Sequence, residues 1–290
     1  PATGAAGSRA AAPAAATGRV EGAGAVGRGG GLDGGRRLAV HLEVDTGMHR
    51  VGVAPGEVLA VARAIAATGV LQLTGLMTHF ASAEEPAADA DTRRQIALFD
   101  QARAELAGAG FTGLLCHAAA TAAAARWPEA RYDMVRLGIG LYGIHPSPAV
   151  ERALPLQLAV TLLSRIVEVR TLARGDRVGY GGTYLTTAER LRAGVLPLGY
   201  HDGIPWSLSN RGAVLVDGRP APILGRISMD SMIVDLSAAP DAAAGSEALL
   251  FGVHHGAELR PEAVAEQAGT IAYELLARLG PRVQRVYVGF

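Results

Sequence analysis

The stretch His41–Gly52, HLEVDTGMHRVG, decides the fold. With the preceding Leu38–Val40 it opens as a buried strand, and it closes in a glycine turn. A strand that only packed would stay apolar to its end. This one sets Glu43, Asp45, Thr46 and Arg50 at its carboxyl end. In a (β/α)₈ barrel the active site lies at the carboxyl ends of the strands, and phosphates are held by the loops there. The stretch therefore reads as a barrel strand that ends in a site.

The pattern then alternates. PGEVLAVARAIAATG predicts a helix with Val58, Val61, Ala62 and Ile65 on one face, Pro55 at its start and Gly69 at its end. LTGLMTHF is the next strand. A second helix from about Asp91 to Leu106 carries Ile96, Phe99, Ala102 and Leu106 on one face. FTGLLCH is a strand, AAATAAAARWP a short helix closed by Pro128, and YDMVRLGIGLYG a fourth strand running into glycines. Such β-α repeats imply parallel strands with helices outside. Four strands make half of a (β/α)₈ barrel.

After Pro148 the helices are expected to stop. LAVTLLSRIVEVRTL, AGVLPLGY, GAVLV, APILGRI, SMIVDL and EALLFGV read as short strands separated by turn signals such as Asp217-Gly218 and Arg174-Gly175-Asp176. One helix, about Pro261 to Arg278 with a break at Gly269, interrupts them, and RVQRVYVGF reads as a closing strand. The fold class is thus α/β plus all-β, a partial barrel over 38–148 followed by a β-rich domain over 149–290. Residues 1–37 are almost entirely Ala, Gly, Pro and Arg and read as a disordered leader.

Composition narrows the function. Of the 290 residues 49% are hydrophobic, enough for a core, and 27 basic side chains balance 27 acidic ones. A zero net charge argues against a nucleic-acid surface. The single cysteine, Cys116, permits no intrachain disulfide and fits a reducing cytoplasm. No apolar run reaches the about 18 residues of a membrane span. Every one of the 27 basic residues is arginine, so no side chain carries a primary amine.

Each strand end carries polar residues: Asp45, Thr46 and Arg50, then His79, then His117 and Thr121, then Arg136 followed by Gly138. Each has a plainer reading. His79 alone is more often structural, and Thr121 is equally a helix cap. Arg136 inside an apolar strand needs an acceptor, because an unpartnered buried guanidinium costs about 3–5 kcal/mol. Asp45 or a ligand could supply it. In the β-rich region GYGGTY and LGYHDG set Tyr180 and Tyr200 among glycines, where either packing or ligand contact is open. RISMDSMIVDL places Met229 and Asp230 at a bend.

In register, HLEVDTGMHRVG, LMTHFASAEE, CHAAATAAA, YDMVRLGIGLYG, RVGYGGTY, LPLGYHDG, GRISMDSMIVDL and YELLARLGPRVQRVY resemble alanine racemases, fold-type III pyridoxal-phosphate enzymes. The resemblance covers about Leu38 to Phe290. It implies L-alanine to D-alanine interconversion, supplying D-alanine for peptidoglycan, with pyridoxal 5'-phosphate as cofactor. It implies a homodimer with shared active sites. Tyr180 matches the catalytic tyrosine that serves one face of the substrate and is lent to the neighbouring subunit. His79 matches the histidine that hydrogen-bonds this tyrosine, and Arg136 the arginine at the pyridine nitrogen. Thr121, Gly138, Ile139 and Tyr200 match positions that hold the phosphate or shape the site mouth. Arg50 and Met229 match contacts to the substrate carboxylate. An unperturbed tyrosine ionises near about 10, so a relay from Tyr180 through His79 to Arg136 is expected to activate it.

The chain departs from the family in four places. The cofactor lysine and its segment are absent, which reads as an N-terminally truncated member. Glu43 stands where many members carry a carbamylated lysine, and is expected to supply the same negative charge and to pair with Arg50. Ala120 replaces an asparagine. The C-terminal gate tyrosine of some members aligns with Pro281. The alternatives are a non-catalytic fragment that keeps the dimer surface, a racemase acting on serine, and a barrel-only cofactor carrier, which the long β-rich region argues against.

Overall fold

The computed structural model describes residues 37–288, and the expected leader lies almost wholly outside them. The chain divides into two compact units that interleave along the sequence. The first holds residues up to Ser82, Ala88–Ala118 and Tyr132–Met134; the second holds Ala83–Ala87, Ala119–Arg131 and Val135 onward.

The first unit is a three-stranded parallel sheet, β1 (Leu38–Glu43), β2 (Leu71–Met77) and β3 (Leu115–His117), in that order. Helix α1 (Val58–Ala67) connects β1 to β2, and α2 (Asp89–Gly108) connects β2 to β3. Pro55 opens a short 3₁₀ turn before α1, and Gly69, with φ 69°, follows its end. Asp89 and Asp91 occupy the first turn of α2, where the helix dipole favours negative charge. Its predicted stripe is the buried one: Ile96, Phe99, Ala102 and Leu106 are all buried. Side chains alternate across a strand, so Leu42 and Val44 are buried while His41 and Glu43 belong to the other face.

Residues 132–134 dock on this unit through polar contacts. The Asp133 carboxylate accepts from the Cys116 amide at 2.7 Å, and the Tyr132 hydroxyl donates to Asp100 at 3.1 Å. Tyr132 stacks edge-on against Phe99, and Arg103 lies over its ring. Burial, reinforced by the Asp100 carboxylate, pushes the Tyr132 hydroxyl far above its ordinary ionisation range.

The second unit begins its regular structure with α3 (Thr121–Arg126) and α4 (Pro148–Ala153). Strands β4 (Leu162–Arg165), β5 (Glu168–Ala173), β6 (Arg177–Val178), β7 (Tyr184–Leu185), β8 (Arg190–Leu196), β9 (Ala213–Val216), β10 (Arg219–Leu224), β11 (Met232–Asp235), β12 (Glu247–His254) and β13 (Ala257–Leu259) follow. Eight of them form one sheet, in the order β13-β12-β9-β10-β11-β8-β5 with β4 on β12, and β6 pairs β7 alone. Asp217 and Gly218, at φ 52° and 72°, make the two-residue turn that fixes β9 against β10. Helices α5 (Pro261–Ala268) and α6 (Ala272–Ala277) are split at Gly269, whose left-handed φ of 69° ends α5. Their buried residues Val264, Ala265, Ala268 and Leu275 join the core with Leu196, Ile223, Met232, Val234 and Phe251.

Three expectations are corrected here. YDMVRLGIGLYG is not a fourth strand. It makes a single bridge, Ala120 with Arg136, and then coils into a 3₁₀ turn over Ile139–Tyr142, because the glycines at 138 and 140 break the extended run. Helices do not stop at Pro148, which starts α4. Residues 282–288 do not form the expected closing strand, and Val286, Tyr287 and Val288 are exposed. No helix among the described residues is long and apolar enough to cross a membrane.

Gly143 shows how closely the second unit is threaded. Its φ is 74°, and a Cβ built on it would lie 1.8 Å from the Gln157 carbonyl oxygen. Backbone on backbone cannot yield as a side-chain tip can. Gly143→Ala is expected to lower stability by about 3 kcal/mol, read as a shifted urea midpoint with unchanged slope.

Candidate active site

In the first unit the chain folds back over the end of β1. Asp45 donates its amide to Val53 O and Val53 donates to Glu43 O, both at 2.9 Å. Gly52 permits this closure: at φ 107° its Cβ would sit 2.9 Å from the Asp45 nitrogen. The Asp45 carboxylate holds the loop from inside, accepting from the amides of Gly47 at 3.1 Å and His49 at 2.9 Å and from the His49 ring at 3.1 Å. Burial pushes this carboxyl up, but the two amides and the imidazole outweigh it and hold it below the usual carboxylate range. Asp45 is therefore committed to its own loop.

Thr46 in this loop shares a buried 2.7 Å hydrogen bond with Thr78, and the Thr78 amide donates to His117 O at 3.2 Å. The carboxyl ends of β1, β2 and β3 are thus tied side to side, with half-buried His79 next in the chain. Arg50 follows in the same loop and is exposed. One contact was not foreseen. His41 Nδ1 lies 2.8 Å from His117 Nε2, across the width of the sheet. A bulge at Thr74 sets Gly75 opposite His41, and a Cβ there would lie 2.6 Å from the His41 ring. The signal in the sequence was a glycine inside a strand, flanked in space by histidines at period-two positions.

In the second unit Thr121 is the first residue of α3, but it does not cap the helix: Ala120 holds that position, with no side-chain cap bond. The Thr121 hydroxyl instead accepts from the amides of Gly138 at 3.1 Å and Gly140 at 3.4 Å. Arg136 is fixed through its backbone, donating to Ala119 O at 2.9 Å. Ile139 is buried beneath this loop, and a Cβ on Gly138 would meet only open space. The structure thus brings Thr121, Arg136, Gly138 and Ile139 into one corner.

Tyr200 and Met229 form a second pair. The Tyr200 amide donates to Ser228 O at 3.1 Å and the His201 amide to Met229 O at 2.9 Å. Gly199 makes the approach possible, since its Cβ would lie 2.3 Å from Ser228 O. Fully buried Asp202 accepts from the Gly199 amide at 3.0 Å and faces Arg282 at 3.4 Å. Tyr180 stands apart, 68% exposed, between Gly179 and Gly181 at φ 71° and 73°, and its hydroxyl makes no hydrogen bond among the described residues. Asn210, unremarked in the sequence, anchors its loop. It donates to the Thr183 hydroxyl at 3.0 Å and accepts from the Gly225 amide at 2.7 Å. Its φ of 57° was invisible in a run of polar residues.

Residues 21–146 match the family model described as the N-terminal domain of alanine racemase, and residues 159–287 match its C-terminal domain. The alanine racemase of Symbiobacterium thermophilum is 41% identical over 255 residues, covering 88% of this chain and 67% of that protein. That of Desulforamulus reducens is 43% identical over 257 residues, covering 88% and 68%. The chain thus spans about two thirds of the length of these relatives. Among solved structures, alanine racemase from D-cycloserine-producing Streptomyces lavendulae has a TM-score of 0.82 at 38% identity, over 88% of this chain and 68% of that one. The Bacillus anthracis alanine racemase with bound L-Ala-P has a TM-score of 0.80 at 30% identity, over 87% and 65%.

Thr121→Val tests the corner directly. It keeps the shape of the side chain and removes the acceptor for two amides. A loss of about 1–3 kcal/mol is expected, read by urea denaturation; a loss below that range would mean that water serves those amides instead.

Proposed function

We propose that this chain, which belongs to the alanine racemase family, carries phosphate-holding and proton-handling residues for the interconversion of L-alanine and D-alanine. In this reading the product D-alanine is destined for peptidoglycan. The lone, buried thiol of Cys116 supports a cytoplasmic setting.

The observation that carries the reading is the Thr121 corner. A threonine hydroxyl has one hydrogen to donate and two lone pairs to accept. Both acceptor directions are taken by the amides of Gly138 and Gly140, so the hydrogen remains to be donated to an anion. That donor set fits the phosphate of pyridoxal phosphate, with Gly138 and Ile139 supplying backbone around it and Tyr200 a second hydroxyl. Bound cofactor supplies an electron sink that makes the α-hydrogen of the substrate acidic.

The chain's own residues do the rest. Arg136 donates to the ring nitrogen without giving up its proton, because a guanidinium stays charged at any working pH. Tyr180 takes or returns the α-hydrogen on one face, with His79 as its hydrogen-bonding partner and Arg136 behind it. Arg50 and Met229 receive the substrate carboxylate, and Glu43 supplies the negative charge that orients Arg50 when substrate is bound. The exposure of Tyr180, Tyr200 and Met229 supports a homodimer in which each copy lends residues to the other.

No side chain here offers a primary amine. With Tyr180 as the only base, exchange is expected on one face alone. The chain with added pyridoxal phosphate should exchange the α-hydrogen of one alanine enantiomer in heavy water, followed by proton NMR. Tyr180→Phe should slow that exchange at least about 100-fold. Equal exchange of both enantiomers, or indifference to Tyr180→Phe, would refute the role. The missing amine favours a second reading, cofactor binding without turnover. Bound cofactor with exchange no faster than free pyridoxal phosphate would establish that one and overturn the first.

The dimer has its own test. Tyr180→Phe and Arg136→Ala, each inactive alone, are mixed in equal amounts. Shared sites predict recovery of about a quarter of the exchange activity, because half the dimers are mixed and each has one intact site. No recovery under conditions where the subunits demonstrably exchange would place each site within a single chain.

A further inference from the structure

Strand β12 ends at His254, and His255 follows in the turn; neither has a part in the reading above. Successive side chains of a strand point to opposite faces, so such a pair ordinarily splits its rings. Here the chain reverses at once into β13. His255 has a left-handed φ of 48°, and Gly256 follows at 79°. The reversal swings the second ring alongside the first, with centroids 4.0 Å apart.

Both rings meet one carboxylate. His254 Nε2 lies 2.6 Å from Glu247 Oε2, and His255 Nε2 lies 3.7 Å from the same oxygen. One donor atom from each of the three residues falls within 4.8 Å of the others. The second Glu247 oxygen accepts from Arg165 at 2.6 Å, which fixes the plane of the carboxylate as an outer partner does for a metal ligand.

We propose that Glu247, His254 and His255 form a three-ligand surface site for a divalent transition metal, zinc foremost, with water completing the coordination. Zinc bonds to nitrogen and oxygen are about 2.0–2.2 Å, so tetrahedral donors stand roughly 3.3 Å apart. The spacings here bracket that value, and the side chains have room to adjust. Two imidazoles and one carboxylate select zinc, cobalt, nickel or copper over magnesium and calcium, which take oxygen ligands. The competing account is a simple hydrogen-bonded ion cluster, in which Arg165 and the histidines satisfy Glu247 and no metal enters.

Calorimetric titration of zinc chloride into the metal-stripped full chain separates the two. One equivalent is expected to bind. His255→Gly removes a ligand while suiting the left-handed backbone, and His255 is 82% exposed, so the variant keeps its fold. It should weaken binding at least about tenfold. His254→Gln, which retains a hydrogen-bonding tip, should do the same. Cobalt in place of zinc should give visible ligand-field bands without the near-ultraviolet sulfur band that Cys116 would add. Affinity unchanged in His255→Gly, a sulfur band, or no binding to the parent chain would each overturn the proposal.

Discussion

The candidate site loops of this chain depend on one constraint: backbone runs against backbone where no side chain could fit. Gly52 lets the loop close over β1, Gly199 lets Tyr200 meet Ser228, and a Cβ on Gly225 would stand 2.6 Å from Val178 O beside the Tyr180 loop. The side chains that these contacts present are exposed. Tyr180, Tyr200 and Met229 gain little from packing, so burial cannot hold them in place. Main-chain hydrogen bonds hold their loops instead, and those bonds require the close approach that glycine allows.

Short polar side chains complete the arrangement. Asp45 and Asp202 accept from main-chain amides of their own loops, Thr121 and Asn210 from amides of a neighbouring one, and none needs a ligand to do so. A loop fixed during folding does not have to be ordered again when substrate arrives, which removes part of the entropic cost of binding. The two compact units use the same device, although one is built on parallel strands and the other on a mostly antiparallel sheet.

Much of this was legible in the sequence. Periodicity located α1 and α2, whose predicted faces carry their buried residues; short apolar runs between turn signals located most strands of the β-rich region, and the Asp217-Gly218 turn announced its hairpin. The failures share a cause. YDMVRLGIGLYG is apolar enough for a strand, but the closing of Gly138 and Gly140 onto Thr121 is a contact between distant residues that no local pattern encodes. The unforeseen His41–His117 pair depends on a bulge at Thr74 and a bare Gly75, again non-local. The amides of Gly47 and His49 that Asp45 accepts from lie in its own loop, a turn that charge patterning does not reveal. Motif likeness identified the family; the anchoring of Tyr180 by Asn210 lay outside any motif.

The separation between anchors and presented side chains has an evolutionary consequence. The residues that fix the loops are glycines and small polar groups bonded to main chain, while Tyr180, Tyr200 and Met229 project outward from loops whose shape they do not determine. A mutation at the outward positions is expected to leave folding almost untouched. Drift can therefore explore new specificities at these tips at little risk to the scaffold, whereas the inward anchors are free to change only together with the loop they hold.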